Sequence, residues 1–190
     1  MIKLESKILL LEKEIQRLKK LVYLDALTKM YNRRGFLELG GNYFKSFRED
    51  RGKRRKNEIA SLALIFLDID DFKKINDKYG HQKGDRVLKQ LAKFLKSTLR
   101  KTDLIGRWGG EEFVILLVNV SKIHAQKIAQ KLCQLTSRTK IAGVHLTISL
   151  GLIIPKKEKT LALIINKADK LMYQAKKQGK NQYVSSIRGN

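Results

Sequence analysis

Asp68, Glu111 and Glu112 are carboxylates set at the ends of strand-like apolar runs, where two or three acids can act together on a cation or a proton. The segment Arg107-Trp108-Gly109-Gly110-Glu111-Glu112-Phe113 places two glycines and two acids between Leu104-Ile105-Gly106 and the run Phe113 to Val118. A Gly-Gly pair between strand-like runs supplies the positive φ angles of a tight hairpin turn. Asp68 closes a second apolar run, Ala60 to Leu67, of the length and composition of a buried central strand. Open α/β sheets hold their ligands beyond the carboxyl ends of the strands. Carboxylates from neighbouring strand ends suit Mg²⁺, which takes few of them and completes its shell with water and phosphate oxygens. Asp68 and Glu111 are therefore expected at the surface, repelling each other until a metal is present. Asp70 and Asp71 read instead as the cap and first-turn charges of the following helix.

Those acids need a sheet to carry them. The 190 residues suit one domain with a sizeable core plus an appendage, and 43% apolar with 31% charged residues is a globular composition. Helical periodicity runs over Phe36 to Phe47, Val87 to Leu99, Ile123 to Leu135 and Thr160 to Ala175. Strand patterns run over Leu62–Leu67, Leu104–Trp108, Phe113–Val118, Leu146–Ile153 and Gln182–Val184. The alternation predicts an α/β sandwich with a mixed or mostly antiparallel sheet. Ahead of it, Leu4, Ile8, Leu11, Ile15, Leu18 and Val22 form a heptad seam of about three heptads. The expected division is a coiled-coil helix over 1–24 and a folded domain over 25–187, with self-association through the helix.

The net charge of +23 favours phosphate-bearing partners. Its lysines are spread over nearly every expected helix, and aromatic stacking motifs are missing, which argues against nucleic acid. The basic loop Glu49 to Glu58 reads as a solvated connection. Cys133 is the sole cysteine, so no intrachain disulfide forms. The first apolar stretch, Ile8 to Leu11, is too short for a signal peptide or a membrane segment, and a cytoplasmic location is expected.

Further motifs give a resemblance. Asp25-Ala26-Leu27-Thr28 is followed by Asn32-Arg33-Arg34; Thr147-Ile148-Ser149-Leu150-Gly151 lies late in the chain; Ala168-Asp169-Lys170-Leu171-Met172-Tyr173 leads to Lys176 and Gly179-Lys180-Asn181. Together with the Gly-Gly-Glu-Glu-Phe turn, the chain resembles a GGDEF domain, the catalytic module of diguanylate cyclases, in its GGEEF variant. Lys29 stands where the family usually has glycine, and Lys180 where it more often has arginine. The resemblance implies a palm-like fold shared with nucleotidyl cyclases, and Mg²⁺-dependent joining of two GTP into cyclic di-GMP across a homodimer, with Mn²⁺ as a substitute metal. It implies Asp68, Glu111 and the Ile69 carbonyl as metal ligands, Glu111 also as proton acceptor, and Glu112 close to the metal. Lys73 matches the transition-state lysine, Lys176 and Lys180 the phosphate contacts. Asn76 and Asp85 match the guanine-reading positions, and His81, in the same loop, a substrate contact. Guanine N1–H and N2–H require acceptors, which Asp85 and Asn76 supply and adenine would leave unpaired. Arg100-Lys101-Thr102-Asp103, with five residues before Gly109, fits an inhibitory site for the product. The alternative is an inactive module that binds GTP or cyclic di-GMP as a sensor.

Overall fold

Leu62–Ile69, β1, is buried along its whole length, and the rest of the fold covers its two edges and two faces. The computed structural model describes residues 2–49, 59–156 and 158–186. The basic loop after Glu49 and the expected domain end at Ile187 lie outside the described residues, as do the side chains of Leu4 and Ile15. Glu112–Val118 (β3) and Ile148–Ile153 (β4) pair antiparallel with the two edges of β1. Leu104–Gly109 (β2) joins β3 in a hairpin, and Tyr183–Ser185 (β5) runs parallel to β4. The five strands lie in the order β2-β3-β1-β4-β5, the mixed sheet that the sequence pattern predicts.

Strand alternation divides the core into two layers. Ala63, Ile65 and Leu67 pack with Val87, Leu91 and Leu95 of α4 (His81–Thr98) and with Ala125, Ala129 and Leu132 of α5 (Lys122–Arg138). Leu62, Leu64 and Phe66 face Phe36 and Phe44 of α2 (Arg33–Glu49) and Ile164, Ile165 and Met172 of α6 (Leu161–Lys177). Phe72–Tyr79, α3, follows β1 at once and buries Phe72 and Ile75. The N-terminal helix α1 spans Ile2–Tyr23. On it Ile8, Leu11, Leu18 and Val22 of the heptad seam are exposed, as are Leu9, Leu10 and Leu21. No helix among the described residues is long and apolar enough to cross a membrane.

Two local departures from the sequence reading have physical causes. The helix expected from Val87 starts at His81, so His81 and Asp85 lie on α4 and not in a loop. Its first turn is polar and carries Gly84, which hides the apolar period; Gly84 is buried against Asn76 and Phe72. Lys29 adopts a left-handed backbone (φ 59°), the conformation that makes glycine the usual residue of this motif. The turn is held regardless, because Asp25 Oδ1 accepts from both the backbone N–H and Oγ1 of Thr28 at 2.7 Å.

Gly151 of β4 marks the closest approach of sheet and helix. A Cβ there would strike the carbonyl oxygen of Ala168 and come within 2.9 Å of its carbonyl carbon. The neighbours are backbone and cannot rotate away. Gly151→Ala is expected to cost about 3 kcal/mol, a fall of roughly 6–12 °C in melting temperature for a domain of this size; a calorimetric melt checks it.

Candidate active site

The parity of β1 decides where its last acid points. Leu62, Leu64 and Phe66 face the α2/α6 layer, and Asp68 continues that series beneath α6. Asp68 is only 5% exposed, which corrects the expectation of a surface carboxylate. Register places Glu112 of β3 directly opposite it, so two carboxylates share one face of one cross-strand pair, an arrangement that is unfavourable without a cation. Glu111 follows Gly110 in the hairpin turn, half-buried beside them. Lys176 reaches down from the last turn of α6, its Nζ 2.7 Å from Asp68 Oδ1. Beyond that ion pair the buried Oδ1 has no hydrogen-bond donor among the described residues. Burial pushes the Asp68 carboxyl up to about 6, against the opposing Lys176 ammonium and with help from the charges of Glu111 and Asp70. Glu112 is raised as well, by burial first and then by Asp68, Asp169 and Glu111.

The turn that carries Glu111 is held from two sides. Gly110 takes a positive φ of 40°, and the β2–β3 register shifts between Arg107 and Gly109. Arg107 donates from Nε and Nη2 to the Gly110 carbonyl at 2.9 and 2.8 Å. Its Nη1 meets Asp25 at 3.2 Å, which links the hairpin to the Asp25–Thr28 turn at the end of α1. Trp108 fixes the base of the hairpin, edge-on to Phe36 and Phe66 with the Arg33 guanidinium 4.6 Å from its ring. No local sequence pattern reveals a contact between Arg107 and Asp25, which lie far apart in the chain.

Asp70 and Asp71 do not cap α3 in the expected way. Asp71 occupies the cap position in a left-handed conformation (φ 54°) and its side chain caps nothing; it pairs with Lys74 at 3.1 Å and Lys180 at 2.7 Å. Asp70 is buried. Its N–H donates to the Thr147 carbonyl at 2.9 Å, which fixes the peptide plane and turns the Ile69 carbonyl to the opposite side, where the Gly110-Glu111 turn lies.

The Asn76 amide packs on Gly84, the residue before Asp85, where α3 meets α4. Asp85 and His81 are exposed at the start of α4, and Lys73 is exposed on α3. Arg100 and Asp103 line a separate pocket of about 360 Å³ with Lys29, Lys96, Lys101 and Tyr31. There Asp103 accepts from the backbone N–H of Arg100 at 2.9 Å and of Val118 at 3.3 Å. Sequence spacing missed the extra lysines of this pocket, which reach it from the Asp25–Thr28 turn and α4.

Among the described residues no three His, Cys, Asp or Glu side chains form a ready-made metal cluster. The donors nonetheless fit a hard cation. Asp68 has a buried oxygen held, among the described residues, by the Lys176 ion pair alone, Glu112 faces it, and Glu111 and the Ile69 carbonyl lie at the same end of the sheet. A Mg²⁺ ion needs few protein oxygens and keeps positions for water and phosphate.

Residues 22–182 match the family described as diguanylate cyclase, GGDEF domain. The diguanylate cyclase DgcM of Escherichia coli is 35% identical over 164 residues, which is 85% of this chain and 38% of that protein. The diguanylate cyclase DgcS of Shewanella oneidensis is 37% identical over 164 residues, covering 84% of this chain and 51% of that one. The chain thus spans about half the length, or less, of these curated relatives. The solved active GGEEF domain of a diguanylate cyclase from Vibrio cholerae superposes with a TM-score of 0.73 at 30% identity, over 83% of this chain and 98% of that one.

The raised Asp68 pKa sets a direction for stability. Below its unfolded value the group is protonated in both states; as pH rises through about 6 the buried group must ionise, and stability falls. Without divalent metal, Asp68→Asn should melt higher than the parent above pH 6 and lose that advantage below roughly pH 4. Melting temperatures across this range check it; a pH-independent difference would mean that no buried charge is involved.

Proposed function

The chain belongs to the GGDEF family of diguanylate cyclases, and on that premise we propose that it condenses two GTP molecules into cyclic di-GMP, releasing two pyrophosphates. The observation that carries the reading is the pair of opposed carboxylates, a buried Asp68 and a half-buried Glu112, beneath the cationic end of α6, with one Lys176 ammonium against them. Such a pair is costly in a structural role and useful in a metal-dependent one. Asp68, Glu111 and the Ile69 carbonyl would hold Mg²⁺ or Mn²⁺. When bound, the ion neutralises phosphate charge and favours ionisation of the attacking hydroxyl.

The chain's own residues do the rest. Lys176 and Lys180 exchange their present partners, Asp68 and Asp71, for triphosphate oxygens. Lys73, exposed in the first turn of α3, adds a third positive charge on that side. Asn76 and Asp85 accept from the guanine Watson–Crick edge, with His81 beside them, and a bound adenine would leave the Asp85 carboxylate unpaired. Glu111 takes the proton of the 3′-hydroxyl as oxygen bonds to the partner's α-phosphorus and pyrophosphate leaves. Arg107 holds the turn so that this carboxylate stays in place.

Each protomer supplies half of a two-fold symmetric product, so two copies must face each other. The exposed seam on α1 supports a helix over residues 1–24 that brings domains 25–187 together and raises their effective concentration. Use of GTP sets the reaction in the cytoplasm. The pocket of Arg100 and Asp103, with its three lysines, suits a product carrying two phosphates and two guanines.

Incubation with GTP and Mg²⁺ should yield cyclic di-GMP and pyrophosphate in a ratio of one to two. Glu111→Ala should lower turnover at least about a hundredfold with the melting temperature little changed. A chain that binds GTP with no turnover would instead be a sensor. Arg100→Ala should keep turnover and lose inhibition by added cyclic di-GMP, read from initial rates against product concentration. Unchanged inhibition would leave Arg100 to Asp103 as a helix end and its turn.

A further inference from the structure

Of the two buried acids among the described residues, Asp68 has a place in the proposed reaction and Asp70 has none. Burying a carboxylate costs free energy unless its oxygens are filled, and those of Asp70 are. Ser149 Oγ donates to Oδ1 at 2.6 Å, Thr147 Oγ1 to Oδ2 at 2.6 Å, and the backbone N–H of Asn181 to Oδ2 at 3.0 Å. The first two tie β1 to β4, which the strand pairing of Asp68 with Ser149 and Ile69 with Ile148 already accomplishes. The third reaches the turn that follows α6.

That turn is strained. Gly179, Lys180 and Asn181 all have positive φ, at 115°, 63° and 50°. Consecutive left-handed residues other than glycine persist only where their surroundings over-determine them. The Lys180 N–H donates to the Ala175 carbonyl at 3.0 Å, and the Asn181 N–H to Asp70. The backbone of the turn is thus pinned, while the Lys180 ammonium rests on the exposed Asp71 carboxylate at 2.7 Å. An exposed pair of this kind is weak and readily exchanged for phosphate; the backbone that aims it is not.

We propose that Asp70 is a positioning residue, which accepts the Asn181 N–H, holds the Gly179-Lys180-Asn181 turn in its left-handed form and so aims Lys180 at the substrate triphosphate. It rests on the reading of Lys180 as a phosphate contact. Asparagine can do the same work. With its oxygen toward Thr147 and Asn181 it keeps the acceptor for the turn, and its amide can donate to Ser149 Oγ in place of the bond that Ser149 donates to Asp70.

The test is a cycle of Asp70→Ala, Asp70→Asn, Lys180→Ala and Asp70→Ala/Lys180→Ala, read by GTP kinetics and by deuterium exchange of the Asn181 amide. Asp70→Ala should raise the KM for GTP about tenfold, the scale of one hydrogen bond to a charged group, with kcat less affected. That rise should vanish when Lys180 is already alanine, the Asn181 amide should exchange faster, and Asp70→Asn should restore both. An equal rise in KM in the Lys180→Ala background, or an amide still protected in Asp70→Ala, overturns the proposal. An unchanged KM in Lys180→Ala overturns the phosphate reading instead, and exchange alone then decides the hold on the turn. If Asp70→Ala does not fold, Thr147→Val removes one hydroxyl that fixes the carboxylate and should shift both readouts in the same direction by less.

Discussion

A carboxylate held out of water at the end of the central strand governs this molecule. β1 is central because it is apolar on both faces, and a strand paired on both edges and covered on both faces leaves its last side chains little access to solvent. Asp68 inherits that burial. Strand parity turns it toward α6, and antiparallel register brings Glu112 against it. One ammonium, from Lys176, offsets part of the repulsion. The remainder appears as a carboxyl displaced to about 6. On the proposed function, a site left under-neutralised in this way would take a cation with little reorganisation, since Asp68 is already buried and Glu112 already faces it.

The second constraint is mechanical. Glu111 sits on a hairpin turn, and turns move unless their carbonyls are held. Arg107 spends three of its five donor positions on two partners, the Gly110 carbonyl and the Asp25 carboxylate. Asp25 is in turn fixed by Thr28. Asn32 ties the same region to the N-terminal helix, donating from Nδ2 to the Val22 carbonyl and from its backbone N–H to the Tyr23 carbonyl, both at 2.8 Å. The end of α1 and the turn bearing Glu111 are therefore joined by a short chain of hydrogen bonds, a physical path by which the set of the helix reaches the acid.

Much of this was legible in the residues. The apolar runs located all five strands within a few residues, and the Gly-Gly-Glu-Glu turn located the hairpin. What escaped depends on the third dimension. Asp70 looked like a cap because helix starts favour aspartate, yet its acceptors are used by Thr147, Ser149 and Asn181, far along the chain. Asp68 looked exposed because strand ends usually are; α6 closes over it. The start of α4 was late because a polar first turn carries no apolar period, and Gly84 is small for a reason visible only where Asn76 packs on it.

The same geometry gives meaning to part of the large positive charge. Around the site two of the acids have lysines: Asp68 has Lys176, and Asp71 has Lys74 and Lys180. These pairs offset part of the acidic charge, whereas an isolated cluster of acids or of ammonium groups would strain the fold. In the proposed reaction a metal with a triphosphate would supply both signs at once, the acids passing to the cation and the lysines to the phosphates. Lysine suits such an exchange, because a flexible point charge gives up one oxygen for another without the fixed planar fork that arginine must realign.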